Sequence, residues 1–166
     1  QGLYPNVLDV VREYVQNSYD AILKHLNEYH SQDYKTQINI NGRSLFIADN
    51  GIGMTEEQIK QYRYVGFSEK KLGEEAGFRG IGKLSGISVA DKLIVTSKSE
   101  KSSTRYKLVF DAQAMLSEIM KLKREGKNKP LNELIQDNTE LGSEEESTDS
   151  HYTVVELYNI RAEHSI

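Results

Sequence analysis

Apolar residues recur at helical spacing from about Val7 to Tyr29, where Leu8, Val11, Val15, Ile22 and Leu26 share one face. Glu13, Asn17 and Asp20 gather on the opposite face. The period then shortens to two. Thr36–Asn41 and Arg43–Asp49 read as strands, with Asn41-Gly42 as the hairpin turn between them. Thr55, followed three residues later by Gln58, forms a capping box for a helix running to about Tyr64. Residues 65–79 carry glycine and charge without an apolar period and read as a mobile loop. Further on, the pattern predicts a helix from near Ile81 to Val89 and paired strands over Lys92–Ser97 and Thr104–Phe110. An amphipathic helix follows over Ala112–Arg124, with Met115, Ile119 and Leu122 inward.

Between Gly126 and Ser150 the pattern lapses. The stretch 142-GSEEESTDS-150 is acidic and has no apolar anchor, so residues 126–150 are expected to form a flexible, disordered insertion. Tyr152–Ile160 returns to a β pattern of Val, Leu and Tyr. The expected organisation is one α/β domain over residues 1–166, interrupted late by a solvated segment.

Composition adds limits. A chain of 166 residues, 37% hydrophobic and 28% charged, suits one globular domain with a real core. Its net charge of −4, with Lys and Arg scattered, gives no footprint for nucleic acid. No apolar run approaches the roughly 18 residues of a membrane span, and no signal-peptide core is present. The expected setting is therefore soluble and intracellular, cytoplasmic or nuclear, with no membrane partner. Gln1 in place of an initiator Met reads as a fragment or a processed chain. Without cysteine there are no disulfides or thiolate ligands, and four scattered histidines argue against a zinc site.

The segment 77-GFRGIGKLSG-86 fits the start of a phosphate-binding P-loop, but the residue after Lys83 is Leu84, where such a loop needs a Mg²⁺-ligating hydroxyl. The residues before Gly77, 68-SEKKLGEEA-76, cannot be the buried strand that feeds a P-loop. Two readings remain. The glycines permit a tight turn and close packing, or the backbone N–H groups from Ile81 onward hold phosphate at a helix start, with Lys83 adding a charge. In 12-REYVQNSYDA-21 the polar residues form either a solvated helix face or a general base, Glu13, one turn from a metal-ligating amide, Asn17. In 45-LFIADNGIGM-54 a hydrophobic strand ends at Asp49. This is either turn chemistry or a carboxylate accepting from an amino group such as adenine N6, with Gly53 beside the ring and Met54 as an apolar wall.

The order of these motifs, E-x-x-x-N on a helix, D-x-G-x-G after a strand and G-x-x-G-x-G at a helix start, resembles the GHKL ATPase superfamily. That group holds heat-shock-ninety chaperones, DNA gyrase B subunits, MutL-type repair proteins and histidine kinases. The chaperone-like members are the most similar, because 88-SVADKLIVTSKS-99 also looks like their strand after the lid. The resemblance implies a two-layer α/β sandwich, a mixed sheet with helices on one face, and an ATP site that requires Mg²⁺. It implies that Glu13 activates water, Asn17 ligates Mg²⁺ and Asp20 and Ala21 line the pocket. Asp49 would read adenine, with Gly51, Gly53 and Met54 around the base. Residues 65–80 would be the ATP lid, with Gly77, Gly80 and Gly82 offering amides to the phosphates and Ser68 and Lys70 approaching on closure. Thr153 would stand near adenine, although Tyr152 replaces the glycine that commonly precedes it.

The implied function is an ATPase module that binds ATP or ADP and drives conformational change, with homodimer contacts partly outside this chain. Relatives continue into a second domain that supplies a basic residue to the γ-phosphate, so slow or undetectable hydrolysis is expected of this chain alone. Glu13 disfavours a histidine-kinase domain, while a nucleotide sensor without turnover stays open.

Overall fold

The computed structural model describes residues 6–31, 33–63 and 82–161. Helix α1 (Val7–Tyr29) starts at Asn6, whose side chain accepts from the Leu8 N–H, and stops at His30 in the left-handed region. Strands β1 (Thr36–Asn41) and β2 (Ser44–Asp49) form a hairpin. Asn41 pairs with Ser44, so the turn centres on Gly42-Arg43, one residue later than Asn41-Gly42. Gly42 takes the positive φ of 59° that its first position requires. Helix α2 (Glu56–Tyr62) has the expected capping box: Gln58 N–H donates to Thr55, and Thr55 N–H to the Gln58 side chain. A 3₁₀ helix (Gly82–Ser88) stands where a longer helix was expected. With two Gly and two Ser in seven residues, its sequence has little α propensity.

Strands β3 (Ala90–Lys98) and β4 (Thr104–Asp111) follow, then α3 (Ala112–Glu125), capped by Asp111 and ended at Gly126. Next come α4 (Leu131–Asp137), β5 (Thr139–Glu145) and β6 (Tyr152–Ile160). The sheet order is β1-β2-β6-β3-β4-β5. Among the described residues every pairing is antiparallel, which corrects the expectation of a mixed sheet: β6 inserts between β2 and β3 and opposes both. The fold is nonetheless the expected two-layer α/β sandwich.

The expected disordered insertion is also corrected. Residues 131–137 form α4, whose Leu134 and Ile135 are buried, and residues 139–145 pair with β4 along their whole length. Strand β5 is an exposed edge held by main-chain bonds, so it needs no apolar alternation. The acidic turn after it is tied down by the buried Lys98, whose Nζ donates to the Ser150 carbonyl at 2.6 Å.

Helix α1 presents a different face from the one its apolar period suggests. Its buried residues are Val7, Val10, Tyr14, Ser18 and His25, whereas Leu8 is 61% exposed. Tyr14, Ser18 and His25 all hydrogen-bond inside the fold, so a purely apolar criterion misses them. The resulting rotation leaves Glu13 and Asn17 half-buried at the border of the core rather than opposite it.

The covered face of the sheet is built in rows. Leu45, Leu157, Leu93 and Phe110 are neighbours across four strands, and Ile47, Val155, Val95 and Leu108 form the next row. Seven of these eight side chains are no more than 3% exposed, Val155 being 7%. The next row along the same face is Asp49, Thr153 and Ser97, where the aliphatic core gives way to carboxylate and hydroxyl.

Candidate functional site

That polar row costs stability unless every group is satisfied. Ser97 Oγ is the hub. It accepts from Met54 N–H at 2.9 Å, lies 2.8 Å from Thr153 Oγ1 and donates to the Tyr152 carbonyl at 3.0 Å. Asp49 is 7% exposed, and one of its oxygens accepts from Gly51 N–H at 2.9 Å. Burial pushes its carboxyl up to about 6, against the lowering effects of the Gly51 N–H, the Ser18 hydroxyl and the charge of His151.

The turn after Asp49 is clamped from both sides. Ile52 N–H donates to the Ala21 carbonyl of α1 at 3.0 Å, and Glu100 N–H donates to the Ile52 carbonyl at 3.0 Å. A Cβ on Gly51 would lie 2.6 Å from the Ala21 backbone, and one on Gly53 only 2.0 Å from the Lys98 carbonyl. Gly53 also has φ of 71°. Both glycines are thus required for chain packing, whatever else they admit. Asn50 ties the turn to the segment before β1, accepting from Lys35 N–H at 2.7 Å.

On the other side, α1 brings Glu13, Asn17 and Ala21 to the core border, half-buried, while Asp20 is exposed and bonded to Gln16. Between them, Tyr14 is fully buried, and burial raises its phenol well above the ordinary range. Its hydroxyl accepts from Gly86 N–H at 2.9 Å. Arg161 donates to the Ile87 and Ser88 carbonyls from the opposite end, so the 3₁₀ helix beginning at Gly82 is pinned against α1 and the sheet.

The fold therefore brings Asp49, Gly51, Gly53, Met54 and Thr153 together at one end of the sheet, beside Ala21 of α1. Ser68, Lys70, Gly77, Gly80 and Ile81, with the lid at 65–80, lie outside the described residues, as does the side chain of Lys83. Ser18, Ser97 and Tyr14 were not singled out in the sequence. A hydroxyl at the inward position that follows Leu93 and Val95 in β3, Ser97, was the available signal.

The family described as histidine kinase-, DNA gyrase B-, and HSP90-like ATPase matches residues 6–151. Chaperone protein HtpG of Francisella tularensis subsp. novicida (strain U112) is 33% identical over 138 residues, covering 68% of this chain and 22% of its own length. Chaperone protein HtpG of Borreliella afzelii (strain PKo) is 31% identical over 145 residues, covering 75% of this chain and 23% of its own length. The chain thus spans less than a quarter of the length of these curated relatives. Among the described residues, no helix is long and apolar enough to cross a membrane.

Proposed function

The chain belongs to the histidine kinase-, DNA gyrase B- and HSP90-like ATPase family, and from that premise we propose that it is an ATP-binding module that hydrolyses ATP with Mg²⁺ to drive conformational change in a chaperone-like machine. The observation that carries this reading is the polar row Asp49–Thr153–Ser97 at the end of two aliphatic rows. A carboxylate 7% exposed, though held by Gly51 N–H and Ser18, costs more than surface turn chemistry requires, which supports a role in accepting from a ligand donor.

In this reading the ionised Asp49 accepts from the exocyclic amino group of adenine, with Thr153 and Ser97 beside it and Met54 against the ring. The donor set on α1 suits Mg²⁺. Asn17 offers a hard amide oxygen, half-buried, and Glu13 lies one turn away on the same side. Bound Mg²⁺ would neutralise phosphate charge. Glu13 would take the proton of the attacking water, and Asn17 would hold the ion. Asp20 and Ala21 complete the α1 wall. The backbone from Gly82 is assigned to the phosphates, and the Lys83 charge is added on the family resemblance alone. Residues 65–80, with Ser68, Lys70, Gly77 and Gly80, are assigned to the covering lid, and Ile81 to the phosphate-binding helix start, on the family resemblance alone.

Asn17→Ala tests the division of labour. It should abolish the gain in ATP affinity on adding Mg²⁺ while leaving Mg²⁺-free ADP affinity within about twofold. Equal Mg²⁺ enhancement in variant and wild type would remove Asn17 from the metal role.

A further inference from the structure

We propose that His25, Glu100 and His151 form a zinc-binding site that staples α1 to the turn after β3 and the start of β6. The site is separate from the Mg²⁺ position assigned to Asn17, and it stands independently of the nucleotide reading. The three residues are remote in sequence, which is why scattered histidines gave no ligand spacing, yet the fold gathers their ligand atoms within 4.8 Å of one another. His25 is 2% exposed, and the side chains of Glu100 and His151 are 17% and 18% exposed. His25 Nε2 lies 2.5 Å and His151 Nε2 3.4 Å from the same Glu100 oxygen.

The outer bonds decide what these rings present. His151 Nδ1 is 2.7 Å from the Gly51 carbonyl, which only accepts, so Nδ1 carries the hydrogen. In the neutral ring Nε2 is then a bare lone pair turned toward a carboxylate oxygen, another acceptor. His25 Nε2 is 2.5 Å from the Glu100 oxygen, so in the metal-free chain it donates its hydrogen there; the Tyr34 hydroxyl, 2.7 Å from Nδ1, can accept a Nδ1 hydrogen once a metal replaces the proton on Nε2. The two Nε2 atoms and the Glu100 carboxylate thus converge on one point, held in the metal-free chain by the proton that His25 gives Glu100, and a metal ion that displaces this proton would find all three as ligands. Anchoring each metal-binding histidine through its other nitrogen is the usual outer shell of such a centre. The rings stack at 4.0 Å with 13° between their planes, so loading requires His151 to tilt about its Gly51 bond until both lone pairs converge.

A His₂Glu set without sulfur suits Zn²⁺ with a water in the fourth position, whereas Mg²⁺ demands an octahedral oxygen shell. The ion would lock the Gly51 carbonyl, and with it the turn that follows Asp49.

The test is a Co²⁺ titration of the chelator-treated, nucleotide-free chain. One equivalent should produce the visible d–d absorption of a tetrahedral nitrogen–oxygen site, and Zn²⁺ should bleach it. His151→Ala and Glu100→Gln should each weaken binding at least tenfold. Tyr34→Phe, which keeps the ring and removes only the outer bond, should weaken it about tenfold. His30→Ala, on the exposed histidine at the end of α1, should change nothing. Absence of a stoichiometric band, or a band that survives both His151→Ala and Glu100→Gln, overturns the proposal. An octahedral spectrum with unaltered affinity in Tyr34→Phe does so too, and requires no destabilised variant. None of these results depends on whether the chain binds ATP.

Discussion

Replacing Asp49 by Asn separates the stability of the empty fold from its capacity to bind. The carboxyl is raised from 3.8 to about 6, chiefly by burial. The unfolded chain therefore releases this proton near pH 3.8, and the folded chain only near 6. The group's contribution to stability is intact below the unfolded value and is lost as pH rises through the folded one. A shift of this size corresponds to about 3 kcal/mol at most. Asn keeps the shape and cannot ionise. Its amide oxygen can still accept from Gly51 N–H, which leaves its NH₂ where Asp49 presents its second oxygen. Asp49→Asn should thus match wild type near pH 4 and exceed it by up to about 3 kcal/mol near pH 8. Adenine-nucleotide affinity should meanwhile fall by about 100-fold, because a donor now meets the adenine amino donor. Urea denaturation at the two pH values and calorimetric titration with ADP measure both effects. A stability difference that stays constant with pH would refute the burial argument. Retained affinity would refute the role of the carboxylate.

Tyr14→Phe removes the acceptor of the buried Gly86 N–H and should destabilise the domain by about 1–3 kcal/mol in thermal or urea unfolding. Gly53→Ala should be far more damaging than Gly42→Ala, about 3 kcal/mol or more against about 1 kcal/mol. Both glycines have positive φ, but only the Cβ at 53 strikes the Lys98 carbonyl, and the space around 42 is open. Glu13→Gln, measured in a chain that turns ATP over, should leave nucleotide affinity within about twofold and slow turnover by about 10²–10⁴. Equal turnover would remove Glu13 as the base.

The sequence made legible the elements whose codes are local. The Thr55–Gln58 capping box, the alternation of β2 and the inward face of α3 all appear as expected. What it missed depends on partners distant in the chain. The buried face of α1 is set by hydroxyl and imidazole groups that find acceptors and donors elsewhere, at Gly86, Asp49, Tyr34 and Glu100, so hydropathy rotates the helix wrongly. Strand β5 has an exposed, acidic sequence and forms because β4 offers an edge. Within the candidate site, Asp49 and its glycines announce themselves as a motif. Thr153 is named by the family resemblance, whereas Ser97 gains meaning only once the register sets it beside Thr153, which in turn pairs with Asp49.

The central claim, that the polar end of the sheet is an ATP site, is tested most directly by calorimetric titration of ATP and ADP, with and without Mg²⁺, into this chain. One saturable site for both nucleotides, with Mg²⁺ strengthening ATP, is the predicted result. No heat of binding at millimolar nucleotide, with the chain folded, would contradict it.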